Sequence, residues 1–322
     1  MQARFRFRCP PLLSTRLSTL LPALLLLVVG GLTSCHREEP AVGALPGGAS
    51  KPAQAVRLLT KHLRDNDLDA FARDAVPPAV YVRLEAAWRS GRTRWPLDEL
   101  PFDERLPTLL GALAAPGSEA KLQRTFDRQF SRADAELKAA ATSLGLFGVQ
   151  YVRNEGDFSD AERDHYAQFV AAISRWGMTA PLGDPQRARA AIPKLAAAAR
   201  RTGLASEADF ARIGMRDSLR RLSGFLSTVK QVLAGYGLAL DASLDGLDAG
   251  LQSQTGDTAK VRMRYTLGGE AIDTVVEVER HAGRWYLSDY LRHAEAAVAA
   301  ATDQAAAEPA PAPAKPPPPA PR

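Results

Sequence analysis

Cysteine is nearly missing from this chain: there are two in 322 residues, Cys9 and Cys35. Histidine is scarce as well. The five present, His36, His62, His165, His281 and His293, form no H-x-x-x-H or H-E-x-x-H pair, the spacing that sets two imidazoles on one helix face around a metal. Nucleophile elbows of the G-x-S-x-G type and phosphate loops of the G-x-x-x-x-G-K-[ST] type are absent too. No metal and no cofactor are therefore expected. Gly145 to Gly148 and Gly235 to Gly237 lack the glycine spacing of a nucleotide site and are expected to end helices. The acidic run Asp65-Asn66-Asp67-Leu68-Asp69 begins like a calcium loop, but Ala70 replaces the required glycine and Val76 the bidentate glutamate. It reads instead as a turn whose acid caps the next helix.

Acidic residues are also missing from the first 37 positions, where Arg4, Arg6, Arg8 and Arg16 stand ahead of an apolar run from Leu20 to Leu32. A basic start followed by a short apolar helix is the layout of an export signal. The run is broken by Pro22 and Gly30-Gly31 and falls short of the ~20 residues that span a bilayer. If the leader is removed, the 41 basic residues become 37 against 36 acidic ones, so the formal charge of +5 largely disappears and nucleic-acid binding is not expected.

The run ends in Leu32-Thr33-Ser34-Cys35. Here the chain resembles the bacterial lipoproteins, in which a leucine, two small residues and a cysteine mark processing. The resemblance implies a signal peptide over residues 1–34, cleavage before Cys35 and acylation of its thiol. It also implies anchoring, with His36 rather than Asp after the cysteine favouring an outer-membrane site facing the periplasm over the inner membrane. Two or three acyl chains hold stably where one holds marginally. With Cys9 in the leader and Cys35 acylated, no disulfide remains for the mature chain.

Residues 35–52, with Pro40, Pro46, Gly43, Gly47 and Gly48, read as a flexible tether. About 17 residues give a root-mean-square span of ~23 Å and a limit under ~60 Å. From residue 53 to 236 the apolar spacing is helical and eight to ten helices are expected. Pro77-Pro78, Ser159 with Glu162 and Asp184-Pro185 mark helix starts, and Ser206 precedes one long helix running to about Ala234. Over residues 237–293 the period changes to two: Ala259, Val261, Met263, Tyr265 and Leu267 alternate with polar residues. Gly268-Gly269 marks a hairpin, a return strand spans Ile272 to Glu279, and a turn at Ala282-Gly283 leads into Trp285-Tyr286-Leu287. The expected class is α+β, a large helical region followed by a three- or four-stranded antiparallel meander. Residues 294–322 form an Ala-rich helix and a Pro-rich tail, Pro309 to Pro321, serving as a polyproline-like spacer or a docking motif.

Asp67-Leu68-Asp69-Ala70-Phe71, Thr258-Ala259-Lys260-Val261 and Gly283-Arg284-Trp285-Tyr286-Leu287 together resemble the NTF2-like superfamily and its small lipoprotein domains. That resemblance implies a sheet-and-helix cone with a pocket. The long helical insert departs from it.

Two surfaces are candidates for binding. Trp88, Arg92, Arg94 and Trp95 interleave indoles with guanidinium groups that could stack on sugars or clasp an anionic polymer; the competing reading is a helix end with Trp88 packed inward. Arg212, Arg216 and Arg220, one turn apart, would form a basic stripe facing anionic lipid or cell-wall polymer unless they pair with acids. Ser118 with Lys121 and Ser227 with Lys230 match the S-x-x-K spacing of penicillin-binding enzymes, without the K-T-G and S-D-N companions. His165, beside Asp164 and Glu162, is expected on a solvated helix surface. The function expected is a non-enzymatic, membrane-anchored envelope lipoprotein that scaffolds or binds another envelope component. A lipid or small-ligand carrier stands second and a cell-wall hydrolase third.

Overall fold

A computed structural model describes residues 47–99, 105–155 and 158–307. The leader with Leu32-Thr33-Ser34-Cys35 and the Pro-rich tail lie outside the described residues. Among the described residues, eleven helices precede a four-stranded sheet and a twelfth follows it, giving the α+β class. The helices are α1 (Pro52–Arg64), α2 (Leu68–Asp74), α3 (Pro78–Arg89), α4 (Leu106–Ala114), α5 (Ser118–Gln129) and α6 (Asp134–Asn154). They continue as α7 (Asp160–Thr179), α8 (Pro185–Thr202), α9 (Glu207–Ile213), α10 (Met215–Gly235), α11 (Leu240–Asp245) and, after the sheet, α12 (Ser288–Ala307).

The sequence punctuation accounts for most helix starts. Ser159 accepts a bond from the Glu162 backbone while the Glu162 carboxylate accepts from the Ser159 N–H, a complete capping box. The Asp184 side chain accepts bonds from the backbone N–H groups of Gln186 and Arg187, and Asp67 caps α2 through the Ala70 N–H at 2.9 Å. In place of the one long helix expected after Ser206, α9 stops at Gly214, whose φ of +83° no other residue adopts readily, and α10 restarts at Met215. Gly145 and Gly148 do not end a helix either. Both lie inside α6, where a β-carbon at Gly145 would collide with Ser174 and one at Gly148 would press on Val170.

The sheet is an antiparallel meander in the order β1 (Asp248–Thr255), β2 (Thr258–Leu267), β3 (Glu270–His281) and β4 (Arg284–Leu287). Along β2, Ala259, Val261, Met263, Tyr265 and Leu267 face the core, opposite Ile272, Thr274, Val276 and Val278 of β3. The other face is water-exposed and carries cross-strand pairs, Lys260 with Glu277, Arg262 with Asp273 and Arg264 with Asp248. Helix α1 covers the inner face and α7 packs on β3. Val56, Leu59 and Leu63 of α1 join Leu84 and Trp88 of α3, Leu219 and Leu233 of α10, and Val261 and Met263 of β2 in one continuous apolar core. Helical region and meander are therefore packed as one body.

The tether is shorter than expected. Ala49 pairs with Trp285 as a bridge on β4, Gly47 N–H donates to Asp74, Arg284 donates to the Gly47 carbonyl, and Gly48 passes under Tyr286. A β-carbon at Gly48 would stand 2.7 Å from that ring, and its φ is +69°. The segment from Gly47 on is thus built into the fold.

Candidate functional site

The densest polar cluster lies where the first turn of α7 meets the start of α12 and the short turn Leu97–Glu99. His293 Nδ1 contacts Glu99 Oε2 at 2.5 Å, and its Nε2 lies 3.5 Å from Glu162 Oε1. Glu162 is 5% exposed; it also takes the Ser159 N–H at 2.8 Å and Arg292 at 2.5 Å. One imidazole therefore stands between two carboxylates. Burial pushes the proton affinity of Glu99 up, opposed by His293, and raises that of Glu162 and Asp289 too. The hydrogen bond to Glu99 raises His293 above its ordinary value, against the effect of burial.

Beside this cluster is a cavity of about 50 Å³ walled by Val56, Leu59, Thr60 and Leu63 of α1, Phe71 of α2, Glu162, His165 and Tyr166 of α7, Val276 of β3, and Asp289 and Tyr290 of α12. That volume suits water rather than a lipid chain or a sugar, since drug-sized sites run to ~300 Å³ or more. Of five inward-facing residues of the sheet, Val261, Met263, Tyr265 and Trp285 are each at most 5% exposed and packed in the core, and Val276 alone reaches the cavity.

His165 is not on a solvated surface. Its Nε2 lies 2.8 Å from the Tyr265 hydroxyl, and burial pulls its proton affinity down to about 4, so the ring is neutral. Its helix turns this face toward β2, a direction that the neighbouring Asp164 and Glu162 disguise in the sequence. The Glu99–His293–Glu162 grouping joins residues far apart in the chain, and its only sequence trace is the Ser159/Glu162 capping box. Chemically the group can hold and pass a proton. Among the described residues, no three His, Cys, Asp or Glu side chains are placed to hold a metal ion.

The binding candidates fall elsewhere. Trp88 and Trp95 are 0% and 1% exposed, so neither offers a ring face to a sugar. Trp88 Nε1 donates to the Phe210 carbonyl at 3.0 Å, while Arg94 lies over the Trp88 and Phe210 rings and pairs with Glu207 at 2.8 Å. Arg92 is half-buried in the turn after α3. Arg212 is on α9 and bonds Asp209; Arg216 and Arg220, across the Gly214 break, approach Glu85 and Asp69. The three arginines are thus divided between two helices and partnered by acids. Ser118 is buried and donates to the Leu113 carbonyl at 2.6 Å, whereas Lys121 is exposed. Lys230, 5% exposed, donates to the Arg64 carbonyl at 3.3 Å, to that of Leu63 and to Asp241 at 2.7 Å, and so closes the C-terminus of α1.

A different surface stands out. Helix α6 packs along α7, with Leu137, Ala141, Gly145 and Val152 inward. Its outer face exposes Leu144 (45%), Leu146 (73%), Phe147 (69%) and Tyr151 (47%), with the Phe147 and Tyr151 rings stacked at 6.5 Å.

The chain matches no family model, no curated protein and no solved structure.

Proposed function

We propose that this protein is a membrane-anchored envelope lipoprotein without enzymatic activity, acting as a scaffold or binding protein for another envelope component. The observation that carries the reading is a tight core combined with an open apolar surface: the interior beneath the sheet is packed except for a water-sized cavity, and large apolar side chains face water on α6. Such an interior favours the scaffold over a carrier built on an NTF2-like pocket. The separation of the Ser118 hydroxyl from Lys121 likewise disfavours a hydrolase of the penicillin-binding type. Anchoring rests on Leu32-Thr33-Ser34-Cys35 and on the outer-membrane sorting that His36 implies. The test is growth with radiolabelled palmitate, with label expected in the wild type and none in Cys35→Ser. Crosslinking in the intact envelope should then capture a discrete partner protein; equal labelling of both chains would refute the anchor, and no defined adduct would refute the scaffold.

A further inference from the structure

Helix α6 is unusual for a water-facing helix in a chain whose residues are 24% charged. No charged side chain occurs between Lys138 and Arg153, although only one side of the helix is covered by α7. Leu144, Phe147 and Tyr151 follow at spacings of three and four, so they share one outward stripe, and an exposed base closes the uncharged run at each end. An uncharged stripe of apolar and aromatic side chains suits the boundary of a bilayer, where the rings sit at headgroup depth.

The position of the helix agrees with this chemistry. Ala49, where the chain enters the fold, is paired with Trp285 on β4, and β4 runs directly into α12. On α12, Arg292 holds Glu162 of α7, and from the next residue Arg163 donates to the Val152 carbonyl in the last turns of α6 at 2.7 Å. A short series of contacts thus joins the start of the fold to the Tyr151 end of α6. From Gly47 back to Cys35 the chain can reach at most ~40 Å. A tether that short keeps the α6 face at high effective concentration near the membrane, so a weak intrinsic affinity suffices.

We infer that the outer face of α6, from Leu144 to Tyr151, lies in the headgroup region of the membrane to which Cys35 ties the chain. The inference rests on the lipoprotein reading above. Single cysteines, Phe147→Cys on α6 and Lys260→Cys on the outer face of the sheet, are nitroxide-labelled in the lipidated protein and reconstituted into phosphatidylethanolamine–phosphatidylglycerol vesicles. Relaxation by a water-soluble nickel complex should fall severalfold relative to relaxation by oxygen at 147 and stay unchanged at 260. Equal exposure of both labels overturns the inference. So does protection of 147 that needs no vesicles and grows with protein concentration, which would mark a second copy as the occupant. To separate the two readings, the Cys35→Ser chain from residue 35 on is held to nickel-chelating lipid by an N-terminal hexahistidine tag. Immersion of 147 there, with no palmitate on native Cys35, sinks the anchor and keeps the helix seat; exposure there sinks the seat whatever the state of Cys35.

Discussion

His293 and Glu99 meet at 2.5 Å, tying the twelfth helix to the short turn that follows Trp95. The contact raises the proton affinity of the imidazole above its ordinary value of 6.5. A group whose affinity is higher in the folded state gives stability that is full below the unfolded value and lost as the pH climbs through the folded one. The wild-type melting temperature should therefore decline as pH rises above 6.5, and His293→Gln should flatten that decline. Thermal melts across the neutral to alkaline range check this, and an unchanged slope in the variant would refute it.

His165 has the opposite sign. Held neutral by burial, with its affinity pulled from 6.5 to about 4, it contributes stability above 6.5 that is lost as the pH falls toward 4. Each tenfold change in proton affinity is worth about 1.4 kcal/mol, so the loss is at most about 3.5 kcal/mol. His165→Gln keeps a partner for Tyr265 and should show a shallower acid loss in urea titrations at pH 4.5 and 7.

Gly145 should defy the usual helix rule. Alanine in place of a glycine inside a helix ordinarily gains about 1 kcal/mol, but a β-carbon here would run into Ser174 of α7. Gly145→Ala is expected to destabilise the protein and to expose the α6–α7 pair to proteolysis, whereas Gly145→Ala combined with Ser174→Gly should recover stability.

The aromatic and basic candidates should separate cleanly by stability. Trp88 is fully buried, so Trp88→Ala should cost about 3–5 kcal/mol. Arg212 is exposed on its own helix, and Arg212→Ala should stay within about 0.5 kcal/mol. Thermal melts of the two variants side by side decide the point; a large cost at Arg212 would give that residue a structural role that its salt bridge to Asp209 does not suggest.

Local rules are legible where the cause is local. The period-two alternation of Ala259 to Leu267 places β2 and its inward face, because a half-buried strand cannot alternate any other way. Ser159, Asp184 and Asp67 announce helix starts because a cap bonds groups two or three residues away. The Gly214 break is hidden since the apolar spacing continues across it, and Gly145 misleads because its reason, the approach of Ser174, is far off in sequence. Trp88 can pass for part of a binding surface for the same cause: its burial depends on Phe210, which α9 brings against it.

By itself the sequence determined the α+β class, the inner face of the meander and the caps at Ser159, Asp184 and Asp67. Each follows from interactions spanning a few residues. Tertiary structure alone decided that His293 stands between Glu99 and Glu162, that His165 meets the Tyr265 hydroxyl, that the space beneath the sheet narrows to a water-sized cavity, and that α6 turns Leu144, Phe147 and Tyr151 to the outside. These depend on which helices pack together, and no short-range pattern in the chain encodes that choice.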